Sequence, residues 1–228
     1  MLCDIETYKD QSITLTLPTF RCRRHALYVK MHKLKVYVGS MKMPLTELRS
    51  LIERYKKNKD DTPIALNDGN ARSFALQELA SICSSDIYAF IFFDEHGESE
   101  LYDALADERT SRLISNQLNN SKLHILTNDT AKVKTLNFVS RHLDESFQNL
   151  RLHAIPKKLA EKCTEKTVDS EFFLATPEHL AFIGKYDGKG ERLAEVSAFL
   201  NFFDPDFFSA LKRFFENTQE RADSGEFR

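Results

Sequence analysis

Along the chain, stretches that alternate apolar and polar positions give way to stretches of helical period and short, wholly apolar runs. Residues 12–17 alternate apolar and hydroxyl side chains, as a half-buried strand does, and Pro18 ends the strand or marks it as an edge. Residues 26–30 and 33–38 read as two further strands before the turn at Gly39-Ser40. Leu45, Leu48, Leu51, Ile52 and Tyr55 recur at helical spacing behind Pro44, a good first-turn residue. A polar stretch, residues 56–63, follows and ends in Pro63, as a linker would.

Beyond residue 68 helices and strands alternate. A helix is expected over about 71–83, with Phe74, Leu76, Leu79 and Ile82 on its apolar side. Residues 87–93 form an unbroken apolar run of strand length, suited to burial on both faces. Helices are then expected over 100–118 and 133–147, and strands over 122–127 and 150–155. Residues 171–175 and 179–184 suggest a hairpin, and Asp204-Pro205 opens a last helix to about Gln219, with a frayed polar tail behind it. Helices alternating with buried strands predict an α/β fold with a mainly parallel sheet flanked by helices. The division expected is a β-rich N-terminal extension with one helix, residues 1–65, and a main domain, residues 66–228.

Composition sharpens this picture only slightly. A hydrophobic fraction of 42% supports a real core, in which 18 Phe outnumber 7 Tyr and no Trp occurs. Lys+Arg 32 against Asp+Glu 34 leaves a formal charge of -2, so any affinity for nucleic acid must be local. Cys3, Cys22, Cys83 and Cys163 show no metal-binding or disulfide spacing, which fits reduced thiols. The N-terminus shows no positive stretch followed by an apolar one, and no run approaches the about 20 apolar residues of a membrane span. A cytoplasmic protein with no membrane partner is the expectation.

Local chemistry is sparse. Glycine-rich nucleotide loops, the G-x-S-x-G elbow and H-E-x-x-H are all missing from the sequence, and no cofactor or metal is implied. Between Arg21 and Pro44 stand Arg21, Arg23, Arg24, Lys30, Lys33, Lys35 and Lys42 without an acid, interleaved with Phe20, Tyr28 and Tyr37. Such a β surface suits nucleic-acid phosphates and stacked bases, an acidic partner face, or plain solvation. Residues 94–108 form the reverse block, acidic without Lys or Arg, so the two could pair within or between chains. His124 and His153 lie inside expected strands. Arg151 shares a face with His153 by the strand period, and Asp129 follows a strand end. Arg151, His153 and Asp129 are therefore the candidates for an anionic or phosphorylated small ligand outside the strand ends. Asp94, Glu95 and Asp129 also suit a hard cation, or equally turns and helix caps.

Four segments carry a family resemblance: the helix and strand 71–93, the helix start 100–103, the strand 122–129 ending in Asp, and Phe202-Phe203-Asp204-Pro205 before an aromatic helix. In these the chain resembles the phospholipase D-like α/β domain, and more closely a bacterial branch of unknown function without the catalytic signature. The resemblance covers about two thirds of the chain and leaves out residues 1–65. Active members carry H-x-K-x(4)-D, with the His as nucleophile and the Lys on the phosphate. Here Asp169 stands at the His position, Glu171 at the Lys position and Thr176 at the Asp position. Two acids where a phosphate should be handled would repel it. The resemblance thus implies a non-catalytic binding or regulatory module. Because the wider fold builds its sites between two domain copies, a single copy here implies a homodimer.

Overall fold

The computed structural model describes residues 12–23, 26–37, 44–66, 68–144, 149–156, 170–177, 179–186 and 192–224. Strands β1 (Ser12–Arg23) and β2 (Ala26–Tyr37) pair antiparallel along their whole length. Pro18 does not end β1, because a two-stranded ribbon consists of edges and tolerates a residue without an N–H. The two expected strands of residues 26–38 are the single strand β2.

The main sheet has seven strands. They are β3 (Ile64–Ala65), β4 (Asp86–Ile91), β5 (Lys122–Thr127), β6 (Leu150–Ala154), β7 (Ser170–Ala175), β8 (His179–Tyr186) and β9 (Arg192–Asn201). Their order is β3-β9-β8-β7-β4-β5-β6. Only β4–β5 and β5–β6 are parallel, whereas β3–β9, β9–β8, β8–β7 and β7–β4 are antiparallel. The expectation of a mainly parallel sheet is therefore corrected: the sheet is mixed, and mostly antiparallel. Connection length is the reason. Parallel neighbours need a crossover of about a dozen residues or more. Residues 176–178 join β7 to β8 and residues 187–191 join β8 to β9, so both turns must reverse the chain.

Seven helices are described: α1 (Leu45–Asn58), α2 (Gly69–Ile82), α3 (Glu100–Ala106), α4 (Glu108–Gln117), α5 (Thr130–Val133), α6 (Asn137–Asp144) and α7 (Pro205–Asp223). The single helix expected over 100–118 breaks at Asp107, which leaves helical geometry and caps α4 by accepting from the Thr110 N–H at 2.9 Å. That bond holds the Asp107 carboxyl below the usual carboxylate range, against a smaller opposing effect of burial.

Period-two alternation sorts the sheet into two cores. Ile87, Ala89, Ile91, Leu123, Ile125, Phe173 and Ala175 face one side, with Leu48 and Ile52 of α1, Leu76 and Leu79 of α2, and Phe138 of α6. Tyr88, Phe90, Phe92, Leu126, Phe172 and Leu174 face the other, with Phe207, Phe208, Leu211 and Phe215 of α7. Among the described residues α7 is the helix that covers the second face, and its Phe-rich sequence supplies the large side chains of that core.

Candidate functional site

The residues that the resemblance sets against the catalytic signature lie on and beside β7. Asp169 lies outside the described residues. Glu171 is 3% exposed and sits on the face with α3. Its Oε1 accepts from the Phe92 N–H at 3.1 Å and from the Ser99 hydroxyl, and its Oε2 accepts from the Leu101 N–H at 3.1 Å. Ser99 is also the N-cap of α3, its Oγ accepting from the Tyr102 N–H at 2.9 Å. One carboxylate therefore ties β7 to the end of β4 and to the first turn of α3. A buried charge survives only when hydrogen bonds replace its lost hydration, and three donors do so here.

Thr176 is engaged just as fully. Its Oγ1 accepts from the Asp86 N–H and donates to the Asp86 carbonyl, both at 2.8 Å, and lies 2.7 Å from Ser85 Oγ. Two of the three signature positions thus hold side chains committed to neighbouring backbone.

The carboxylates beyond the strand ends are engaged in turns. Asp94 Oδ1 accepts from the N–H groups of His96 and Glu98 at 2.9 Å each, closing the loop in which Gly97 takes φ 75°. Asp129 Oδ1 accepts from the Lys132 N–H at 3.0 Å as the cap of α5. Of the expected ligand trio, the structure brings Arg151 and His153 to one face of β6, while Asp129 stands beyond the end of β5.

The surroundings of His153 contain a residue that sequence reasoning missed. His153 Nδ1 lies 3.3 Å from Asp223 Oδ1, in the last turn of α7. Residues 220–223 were expected to fray, but they continue the helix. In the register, His124 stands directly opposite Arg151, and its ring stacks on Tyr88 with centroids 5.1 Å apart and an interplanar angle of 14°. Lys212 of α7 lies over the Tyr88 ring, 5.2 Å from its centroid. Burial pushes the His124 pKa down, with the charges of Arg151, His153 and Lys122 adding to the effect and Asp86 opposing it. Burial also raises the Tyr88 phenol.

The basic segment divides by register. Arg21 pairs with Tyr28, Arg23 with Ala26 and Lys30 with Thr19, which places Arg21, Arg23 and Lys30 on one face of the ribbon. Lys33 and Lys35, paired with Thr16 and Thr14, occupy the other face. Arg24 lies outside the described residues. Among the described residues no group of His, Cys, Asp and Glu is arranged to hold a metal ion. No helix among them is long and apolar enough to cross a membrane.

No family model matches the chain. No curated protein matches it. Among solved structures the chain is similar to TrmBL2, an archaeal chromatin protein whose structure "shows a novel mode of DNA binding", at 13% identity and a TM-score of 0.47. That likeness covers 78% of this chain and 60% of the other, so the chain spans only part of that protein's length. It is also similar to Nuc, a phospholipase D family member from Salmonella typhimurium, at 7% identity and a TM-score of 0.44, over 69% of this chain and 92% of the other. NucT from Helicobacter pylori is similar at 10% identity and a TM-score of 0.44, over 69% of this chain and 94% of the other.

Proposed function

We propose that the chain is a phospholipase D-like domain without phosphodiesterase chemistry, acting as a binding or regulatory module. The observation that carries this reading is the state of Glu171. A phosphate-binding lysine must project a free cation into a site. Glu171 instead holds a buried carboxylate against two backbone N–H groups and a hydroxyl. Thr176, bonded to Asp86 at both N–H and carbonyl, supports the same reading. The test is hydrolysis of bis-p-nitrophenyl phosphate by the purified chain between pH 5 and 9. No rate above buffer is expected. A saturable rate that scales with protein across independent preparations would overturn the proposal.

A second reading is favoured by the ribbon register. Arg21, Arg23 and Lys30 share one face of a twelve-residue β ribbon, an element that fits a nucleic-acid groove. On this reading mixed-sequence DNA binds in a strongly salt-dependent manner, because each neutralised phosphate releases counterions. Reversing Arg21 and Arg23 together to Glu is expected to weaken binding at least tenfold and to flatten its salt slope. Reversing Lys33 and Lys35, on the other face, is expected to do much less. Equal effects of the two pairs, or none from Arg21 and Arg23, would remove this reading.

A further inference from the structure

The edge of the main sheet carries a concentration of positive side chains that the signature-strand reading does not use. By the period of two, Lys122 and His124 of β5 and Arg151 and His153 of β6 lie on the face that α7 covers, and β6 is the last strand of the sheet. Like-signed neighbours across adjacent strands are unfavourable, so this block of two fixed cations and two imidazoles can gain charge only against a counter-charge.

Three acids lie near the block, none of them paired with Arg151. Asp86 stands opposite Lys122 in the β4–β5 register. Glu216 of α7 lies 3.8 Å from Lys212 of the same helix. Asp223 of α7 is the partner of His153 Nδ1. Arg151 is exposed, and neither it nor Lys122 makes an ion pair among the described residues.

Two ring nitrogens complete the observation. Nδ1 of His124 and Nε2 of His153 are buried and have no hydrogen-bond partner among the described residues. Buried polar atoms are partnered in the great majority of cases, so two such nitrogens on neighbouring positions of one face mark a place where a hydrogen-bonding group belongs. Asp223, accepting from Nδ1–H, leaves Nε2 as the second nitrogen of His153 and a donor once the ring is protonated.

We propose that this block, Arg151, His153, His124 and Lys122, binds a small oxyanion of the phosphate class beneath the C-terminal half of α7. The planar, permanently charged guanidinium of Arg151 suits two oxygens of such a group, and the imidazoles donate to the others on protonation. Burial disfavours the charged form of His124, so an anion that accepts from its ring is coupled to proton uptake there. The block lies on the opposite face of the sheet from Glu171, and the proposal stands or falls independently of the signature strand.

The test is titration of the intact chain with inorganic phosphate at pH 6.5, following the imidazole nitrogens of His124 and His153 by NMR. Saturable shifts of both rings are expected. Glycerol phosphate, run in parallel, separates a site for phosphate esters from one for the free ion. Arg151→Gln, an exposed change that leaves the fold intact, is expected to weaken binding about tenfold, the loss of one charged hydrogen bond. Sulfate keeps its charge over this range, and its binding is expected to weaken as the pH is raised from 6.5 to 8. Rings that do not respond to phosphate, or a response of equal affinity in Arg151→Gln, would overturn the proposal.

Discussion

Glu171→Ala is expected to destabilise the protein by about 3–5 kcal/mol, among the largest effects of any single substitution. The change removes the acceptor of the Phe92 N–H, the Leu101 N–H and the Ser99 hydroxyl at once. Each donor left unsatisfied in a buried setting costs about 1–3 kcal/mol, and water entering the cavity recovers part of the sum. A domain of this size has a total stability of about 5–15 kcal/mol, so the variant sits close to unfolding at 25 °C. Urea denaturation reads the effect as a lower midpoint at unchanged slope. An unchanged midpoint would mean that the carboxylate is not tied down in solution.

Phe215→Ala should cost a comparable amount for a different reason. Phe215 is fully buried in α7 and meets Tyr88 edge to face, with centroids 5.4 Å apart. Truncating a buried Phe removes apolar burial and leaves a cavity, together worth about 3–5 kcal/mol. Because α7 is the one described helix whose buried residues share the core of that face, the loss should also loosen the helix from the sheet. The midpoint should fall, and amide exchange in residues 205–223 should accelerate more than in α2. Uniform acceleration across both helices would show that α7 and the rest of the fold open together.

Much of the fold was legible because burial writes itself into periodicity. Strand β5 falls on residues 122–127 as expected, since Leu123, Ile125 and Leu126 form a short apolar set of strand length stopped by Asn128-Asp129. The capping chemistry of Asp204-Pro205 likewise fixed the start of α7, where Asp204 Oδ1 accepts from the Phe207 N–H at 2.9 Å. Strand direction was not legible from helix–strand alternation, which suggested parallel crossovers. β9 went unread because charged and glycine residues 184–192 interrupt its approach, so of the antiparallel pairings only the β7–β8 hairpin was expected.

The candidate site was legible only in part. Sequence placed Glu171 at a functional position and read its charge as repelling phosphate. It could not show that the carboxylate meets donors from residues 92, 99 and 101, because nothing local couples positions so far apart in the chain. Arg151 and His153 shared a face as the strand period requires, while their partner Asp223 lay in a segment whose polarity looked like fraying. The six basic candidates read as one patch because a charge count along the chain does not contain register. Pairing separates Lys33 and Lys35 from Arg21, Arg23 and Lys30.

The Glu171 carboxylate is bound to the backbone N–H groups of Phe92 and Leu101 and to the Ser99 hydroxyl. Native-state amide exchange of Phe92 and Leu101 tests it, since their N–H groups donate to that carboxylate. The account expects both amides to be protected nearly to the level of global unfolding, and to lose that protection in Glu171→Ala. Exchange of both in the intact protein at the rate of a free, unbonded amide would contradict it.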